Sequence, residues 1–216
     1  MKKTLLILLS ALPLFFVSCG EKENADKAAS FGIEAIDLGL SVEWADKNLG
    51  AKSTGDAGYY FMWGETQPKD NYAWAAYKYG SSADNLTKYN NSDGKINLDL
   101  SDDPAHILLG GKWRTPTSDE WLELINACTW TWGKQDGANG ALAQAPDGTT
   151  VFFPAAGGKI GGSLMDVGVH GYYWMATRLD DTPSEAWSFY FHSKHVGNMN
   201  FPRNYGIPVR AVRDKE

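Results

Sequence analysis

The chain is poor in cysteine, has no cluster of basic residues and has no apolar run long enough to cross a membrane. Its 216 residues include only two cysteines, Cys19 and Cys128. Lys and Arg number 20 against 26 Asp and Glu, a formal net charge of −6, with no basic block. Because phosphate backbones are bound by clustered Lys and Arg, we expect no nucleic-acid partner. The main apolar run, 5–17, is shorter than the roughly 20 residues of a membrane-spanning helix.

The N-terminus has the pattern of an export signal. Lys2 and Lys3 precede the apolar run, and the small residue Ser18 precedes Cys19. This order resembles a lipobox, so we predict a lipoprotein signal over 1–19, cleavage before Cys19 and lipidation of its sulfur. The alternative is a plain secretory signal with a chance cysteine.

Residues 20–30 are polar and charged and contain no aromatic residue. Such a segment buries too little apolar surface to fold alone, which predicts a flexible tether. The acidic residues Glu21 and Glu23 resemble the surface-export signal of Bacteroides-type lipoproteins. We therefore expect an outer-membrane lipoprotein that faces the cell surface and contacts the membrane through its lipid anchor only.

The remaining residues, 31–216, are enough for one domain with its own core. Short runs rich in aromatic and branched residues, separated by turn signals, predict many short strands. One helix is predicted from 118 to 128, since Thr117 and Glu120 have the capping-box spacing and apolar residues follow at helical spacing. Residues 65–111 are polar and broken by turn signals, which predicts a long excursion. The expected fold class is α+β, weighted to β.

Six stretches resemble, in order along the chain, the motifs of one family. They are IDLGLSVEWADKNLGA, GYYFMWGETQPK, KWRTPTSDEWLEL, FFPAAG, GYYWMAT and YGIPVRAVRD, which together run from Ile36 to Asp214. They resemble the Fibrobacter succinogenes major paralogous domain family. The resemblance implies a C-type-lectin-like fold, in the branch shared with formylglycine-generating enzymes. It further implies small mixed or antiparallel sheets, one or two helices, long loops and a lipoprotein of Bacteroidetes type.

The sequence lacks the motifs that would predict an enzyme. Formylglycine-generating enzymes use a reactive cysteine pair late in the domain, whereas here only Cys128 remains, on the core side of the predicted helix. Neither a zinc-binding HExxH nor a GxSxG nucleophile elbow occurs. His192 and His195 would lie on opposite faces of a single strand, which argues against a metal pair. We expect no enzyme, and keep a formylglycine-generating-type oxidase as the third hypothesis.

The expected function is ligand binding through late loops, which is where the resembled folds hold their partners. The stretch HSKHVGNMNFPRNYG combines Asn, Arg and aromatic residues that can make adaptable hydrogen bonds and stacking contacts. The alternative interpretation is that the aromatic residues fill the core and the asparagines form turns. The expected ligand is a carbohydrate or a surface protein, and the alternative role is a structural or adhesin-like component of a surface assembly. The predicted ligand-binding residues are Asn198, Asn200, Phe201, Arg203, Asn204 and Tyr205.

Asp99, Asp102 and Asp103 form a cluster of the oxygen ligands that calcium prefers. Their spacing does not match an EF-hand, and a solvated turn before Pro104 is the simpler interpretation. We therefore expect no cofactor, with this cluster as the alternative candidate for a calcium site.

Overall fold

The computed structural model describes residues 27–215. The predicted signal, the lipobox with Cys19 and most of the tether lie outside this range. Within it, no helix is both long and apolar enough to cross a membrane.

Short strands make up most of the regular structure, with two α-helices in the middle of the chain. The helices are α1 (Pro104–Leu109) and α2 (Ser118–Ala127), with 3-10 turns at Trp74–Ala76 and Leu100–Asp102 and a helical segment at 27–30. The strands are β1 (Ala35–Ile36), β2 (Val42–Ala45), β3 (Tyr60–Phe61), β4 (Gly80–Ser82), β5 (Asn85–Leu86), β6 (Trp113–Arg114), β7 (Thr129–Gln135), β8 (Ala138–Gln144), β9 (Thr150–Pro154), β10 (Gly158–Ile160), β11 (Ser163–Met165), β12 (Gly171–Arg178), β13 (Glu185–His192), β14 (His195–Pro202), β15 (Ile207–Pro208) and β16 (Val212–Asp214).

The strands form several small sheets, and every strand pairing in residues 27–215 is antiparallel. The two larger meanders have the orders β7-β8-β9 and β12-β13-β14. A four-stranded sheet, β1-β2-β16-β6, pairs an early strand with the last strand of the domain. The α+β class and the small antiparallel sheets are confirmed.

Helix α2 begins as the sequence predicts. The Thr117 hydroxyl accepts from the Glu120 amide at 3.4 Å, and the Glu120 carboxylate accepts from the Thr117 amide at 2.8 Å. This reciprocal capping box satisfies two backbone N–H groups that a helix start leaves unpaired. The helix ends at Ala127, one residue before the predicted end, and Cys128 is its buried C-cap residue.

Helix α2 anchors one of two hydrophobic clusters. Trp121 stacks on Phe189 of β13, with ring centroids 4.4 Å apart and planes 14° apart. Trp44 packs edge-on against Trp121, with ring centroids 4.6 Å apart. Because side chains alternate along a strand, Phe189 and Phe191 face this cluster while Tyr190 and His192 point to the opposite face of the sheet.

The second cluster depends on the stretch 65–111. Its Tyr72, Tyr77, Tyr79 and Tyr89 are all buried, and Trp63 packs against the Tyr89 ring edge-on at 5.0 Å. The predicted excursion therefore contains only short elements, including β4, β5 and α1, but supplies much of the second hydrophobic cluster.

Candidate functional site

The outer face of the sheet β12-β13-β14 carries a continuous row of partly exposed rings. The Tyr172 and Tyr190 rings are 5.7 Å apart and nearly parallel, with planes 12° apart. Phe201 meets Tyr172 edge-on at 4.9 Å and continues to Tyr205 at 6.0 Å. On the other side, His195 lies 5.8 Å from Tyr190. We call the following residues the aromatic row: Tyr205, Phe201, Tyr172, Tyr190, His195 and His192.

Strand register explains why these rings share one face. Tyr172 pairs with Tyr190 across β12 and β13, and residues directly opposite in an antiparallel pair point the same way. His192 ends β13, His195 begins β14, and a two-residue turn pairs them directly, with rings 5.9 Å apart. The expectation that the two histidines lie on opposite faces was wrong, because they belong to different strands.

Two further residues, Asp166 and His170, contact the row, and neither was predicted from the sequence. The Asp166 carboxylate accepts from the Tyr172 hydroxyl at 2.8 Å. Burial and this carboxylate raise the pKa of Tyr172, so the phenol keeps its proton. The His170 ring stacks on Tyr172 at 5.9 Å and on Tyr190 at 5.7 Å. The face therefore combines ring surfaces with hydroxyl, imidazole and carboxylate groups.

A small cavity lies at the Tyr205 end of the row. Its volume is about 40 Å³, enough for little more than a water molecule or a methyl group. Its lining includes Ile160, Met165, Asp166, Tyr172, Phe201 and Tyr205.

A larger cavity, which we call the hairpin pocket, lies at the histidine end. Its volume is about 280 Å³, near the lower end of the range of about 300–1,000 Å³ for small-molecule sites. It is lined by Trp130, Trp132, His192, Ser193, Lys194 and His195, among others. The aromatic row thus runs from one cavity to the other.

Comparison of the chain with family models, curated proteins and solved structures finds no match.

Two of the six predicted ligand-binding residues belong to the aromatic row. Phe201 and Tyr205 are half-buried, so each both packs against the core and presents surface to solvent. Asn198 and Asn200 are exposed, but their strand positions alternate with Phe201 and place them on the other face of the sheet. The six residues do not form one surface.

The prediction that Arg203 and Asn204 contact a ligand was wrong, because both are buried. The Arg203 guanidinium donates to the Tyr77 hydroxyl at 2.8 Å and to the carbonyls of Pro183 at 2.9 Å and Tyr89 at 3.1 Å. Asn204 donates to the backbone of the 65–111 stretch. These two residues hold the late loop onto the core.

The three aspartates bind protein groups and do not form a solvated turn. Asp102 is buried and accepts from the Lys88 ammonium and, at 2.8 Å, from the Tyr89 hydroxyl. Asp103 is buried and caps α1 by accepting from the Ala105 amide at 2.9 Å. Asp99 pairs with two lysines. In residues 27–215, no group of three or more His, Cys, Asp or Glu is placed to hold a metal ion.

Proposed function

We propose that this chain is a non-enzymatic binding protein, held at the cell surface by a lipid anchor, whose aromatic row binds a carbohydrate. The observation that supports this proposal is the aromatic row, whose two ends line the two cavities. Sugar rings have apolar C–H groups that pack on aromatic rings and hydroxyls that need hydrogen-bond partners. Tyr and His side chains offer both at a low cost in conformational entropy.

The proposal includes a C-type-lectin-like fold and an outer-membrane, surface-facing location. The ordered series of motifs from Ile36 to Asp214 supports the fold, and the lipobox pattern around Cys19 supports the location. An oxidase of the formylglycine-generating type is disfavoured. Burial raises the pKa of the Cys128 thiol, which lowers the population of the nucleophilic thiolate.

A protein ligand is the second candidate, since a group of exposed apolar side chains lies beside the row. Leu164, Met165, Val167 and Val169 lie on or just after β11, and Met199 shares the outer face of the sheet. Contiguous exposed apolar surface with a polar rim is typical of protein interfaces, and Met is enriched in them. This observation supports the adhesin-like role.

The test compares binding of the purified full chain to a panel of defined glycans before and after Tyr190→Ala. The control is Tyr59→Ala, because Tyr59 is an exposed tyrosine that lies outside the row. We expect Tyr190→Ala to weaken glycan binding about tenfold or more, the loss of about 1.4 kcal/mol typical of an aromatic hot spot. Tyr59→Ala should leave the affinity unchanged.

Equal effects of the two substitutions would contradict the proposal. A chain that binds no glycan but captures a protein, with capture lost in Val167→Ser, would favour the second candidate.

A further inference from the structure

The hairpin pocket has rigid aromatic walls. It lies where β7 comes close to the turn between β13 and β14. The Trp130 ring packs on Phe189 at 5.2 Å, and the Trp132 ring packs on Phe191 at 6.2 Å. Because both indoles rest on core rings, the pocket wall is set by the fold and needs little reorganisation to receive a ligand.

The polar side of the pocket offers hydrogen-bond donors. Lys194 is exposed and contributes an ammonium group, and Ser193 contributes a hydroxyl. The lining contains no Asp or Glu, although the whole chain carries a net charge of −6. An anion approaching this acidic protein would therefore meet a local positive charge at the pocket.

The hydrogen bonding of His192 adds to this surplus of donors. Its Nδ1 accepts from the Lys194 amide at 3.2 Å. A ring nitrogen that accepts a hydrogen bond cannot carry the proton of the neutral imidazole. The proton is therefore on Nε2, which can donate a hydrogen bond to a ligand. A ligand group that only accepts hydrogen bonds, such as a carboxylate or a sulfate, matches a lining of this kind.

We infer that the hairpin pocket is a subsite for an acidic substituent of the bound glycan, a carboxylate or a sulfate ester. His195 joins the pocket to the row through its contact with Tyr190. His192 also belongs to both the row and the pocket lining, so a glycan bound on the row would reach the pocket by passing over the hairpin turn. The inference rests on the proposed function and adds the class of sugar that the site selects.

The test uses pairs of probes that differ only in whether the acidic substituent is present and charged. Oligogalacturonate is compared with its methyl ester, and a sulfated galactan oligosaccharide with its desulfated form, by calorimetry with the full chain at low and high salt. We expect at least one acidic probe to bind about tenfold more tightly than its neutral form, as a charge-assisted hydrogen bond would give. High salt should reduce the preference, since the lysine is exposed.

Lys194→Gln should abolish the preference for the acidic form. The matched control is Lys112→Gln, because Lys112 is also exposed and is not part of the lining. Lys112→Gln should keep the preference. The uronate and sulfate pairs distinguish the two sources of negative charge.

Equal binding of the acidic and neutral forms in both pairs would overturn the subsite while leaving Tyr190-dependent glycan binding intact. An equal loss of preference in the two lysine variants would also overturn it, because the effect would then come from overall charge. Preference for an acidic probe that Lys194→Gln removes and Tyr190→Ala does not affect would support the subsite and contradict the proposed role of the row. A chain that binds none of the probes would overturn the subsite.

Discussion

Arg203, in the loop after β14, holds that loop to the core of the domain through its guanidinium. Its guanidinium is fully buried, lies 4.7 Å from the Trp63 ring centroid and donates to four oxygens on three separate segments. Removing it would leave buried carbonyls without partners. We expect Arg203→Ala to lower the free energy of unfolding by about 3–5 kcal/mol, measured by urea denaturation.

The control is Arg213→Ala, since Arg213 is partly exposed and pairs with Glu43 at 2.6 Å. A surface pair of this kind contributes about 1 kcal/mol or less. Similar losses for the two variants would contradict the structural role assigned to Arg203.

Asp102 predicts how stability depends on pH. Burial alone would raise its pKa, but the Lys88 ammonium and the Tyr89 hydroxyl outweigh burial and hold the pKa well below its ordinary range. The pKa of Asp102 in the folded protein is below the unfolded value of about 3.9. The ionised carboxylate therefore contributes to the free energy of unfolding above that pH, and this contribution is lost as the pH falls toward the folded pKa.

Asp102→Asn should therefore flatten the loss of stability below about pH 4, measured by urea denaturation at a series of pH values. A variant that loses stability on acidification as steeply as the unmodified chain would contradict this assignment.

Gly197 tests the position of His195 without removing the imidazole. A Cβ at Gly197 would lie 2.7 Å from His195 Nε2, so the imidazole would have to move. Only the end of one exposed side chain shifts, so we expect Gly197→Ala to change the free energy of unfolding by less than about 1 kcal/mol. Glycan affinity should fall about as far as in His195→Ala. If Gly197→Ala leaves the glycan affinity unchanged while His195→Ala lowers it, the position of the His195 ring does not matter for binding.

At the scale of elements, the start of α2 depends on local chemistry and is therefore predictable. Thr117→Ala removes the hydroxyl that accepts from the Glu120 amide. We expect a loss of about 1 kcal/mol in the free energy of unfolding, typical for a helix cap. Ser118→Ala, one residue further on, is the control and should change stability by less than about 0.5 kcal/mol. An unaffected Thr117→Ala would mean that Glu120 and its partner Arg114 fix the helix start alone.

The sequence predicted those elements that depend on neighbouring residues. The capping box, the helix and the alternation of β13 are local patterns, and the structure confirms them. The direct pairing of His192 with His195 depends on where the turn falls, and a shift of one residue in the register reverses which faces the side chains take. Periodicity alone does not fix that boundary.

Contacts between distant segments were not predictable. Arg203 meets Tyr77 across 126 positions of the chain, and nothing in the composition of its own loop indicates this partner. The burial of Asp102 could not be predicted for the same reason, since a turn-like sequence does not reveal that aromatic residues cover its carboxylate. Phe201 and Tyr205 were predicted from their place in a late stretch rich in Asn, Arg and aromatic residues, and both are partly packed on the core and partly exposed.

At the scale of the whole molecule, the two faces of the sheet β12-β13-β14 have different roles. Its inner face joins the cluster around Trp121, and the exposed part of its outer face carries the aromatic row. The core therefore fixes the positions of rings that are partly free to meet a ligand. Such preorganisation reduces the entropy lost on binding.

The most direct test of the aromatic row is a solution NMR titration of the full chain, labelled in its aromatic rings, with the tightest-binding glycan of the panel. We predict that the ring signals of Tyr172, Tyr190 and Phe201 shift in proportion to occupancy, while those of the buried Trp121 and Phe153 do not. Shifts confined to rings outside the row, such as Tyr59, would contradict the account.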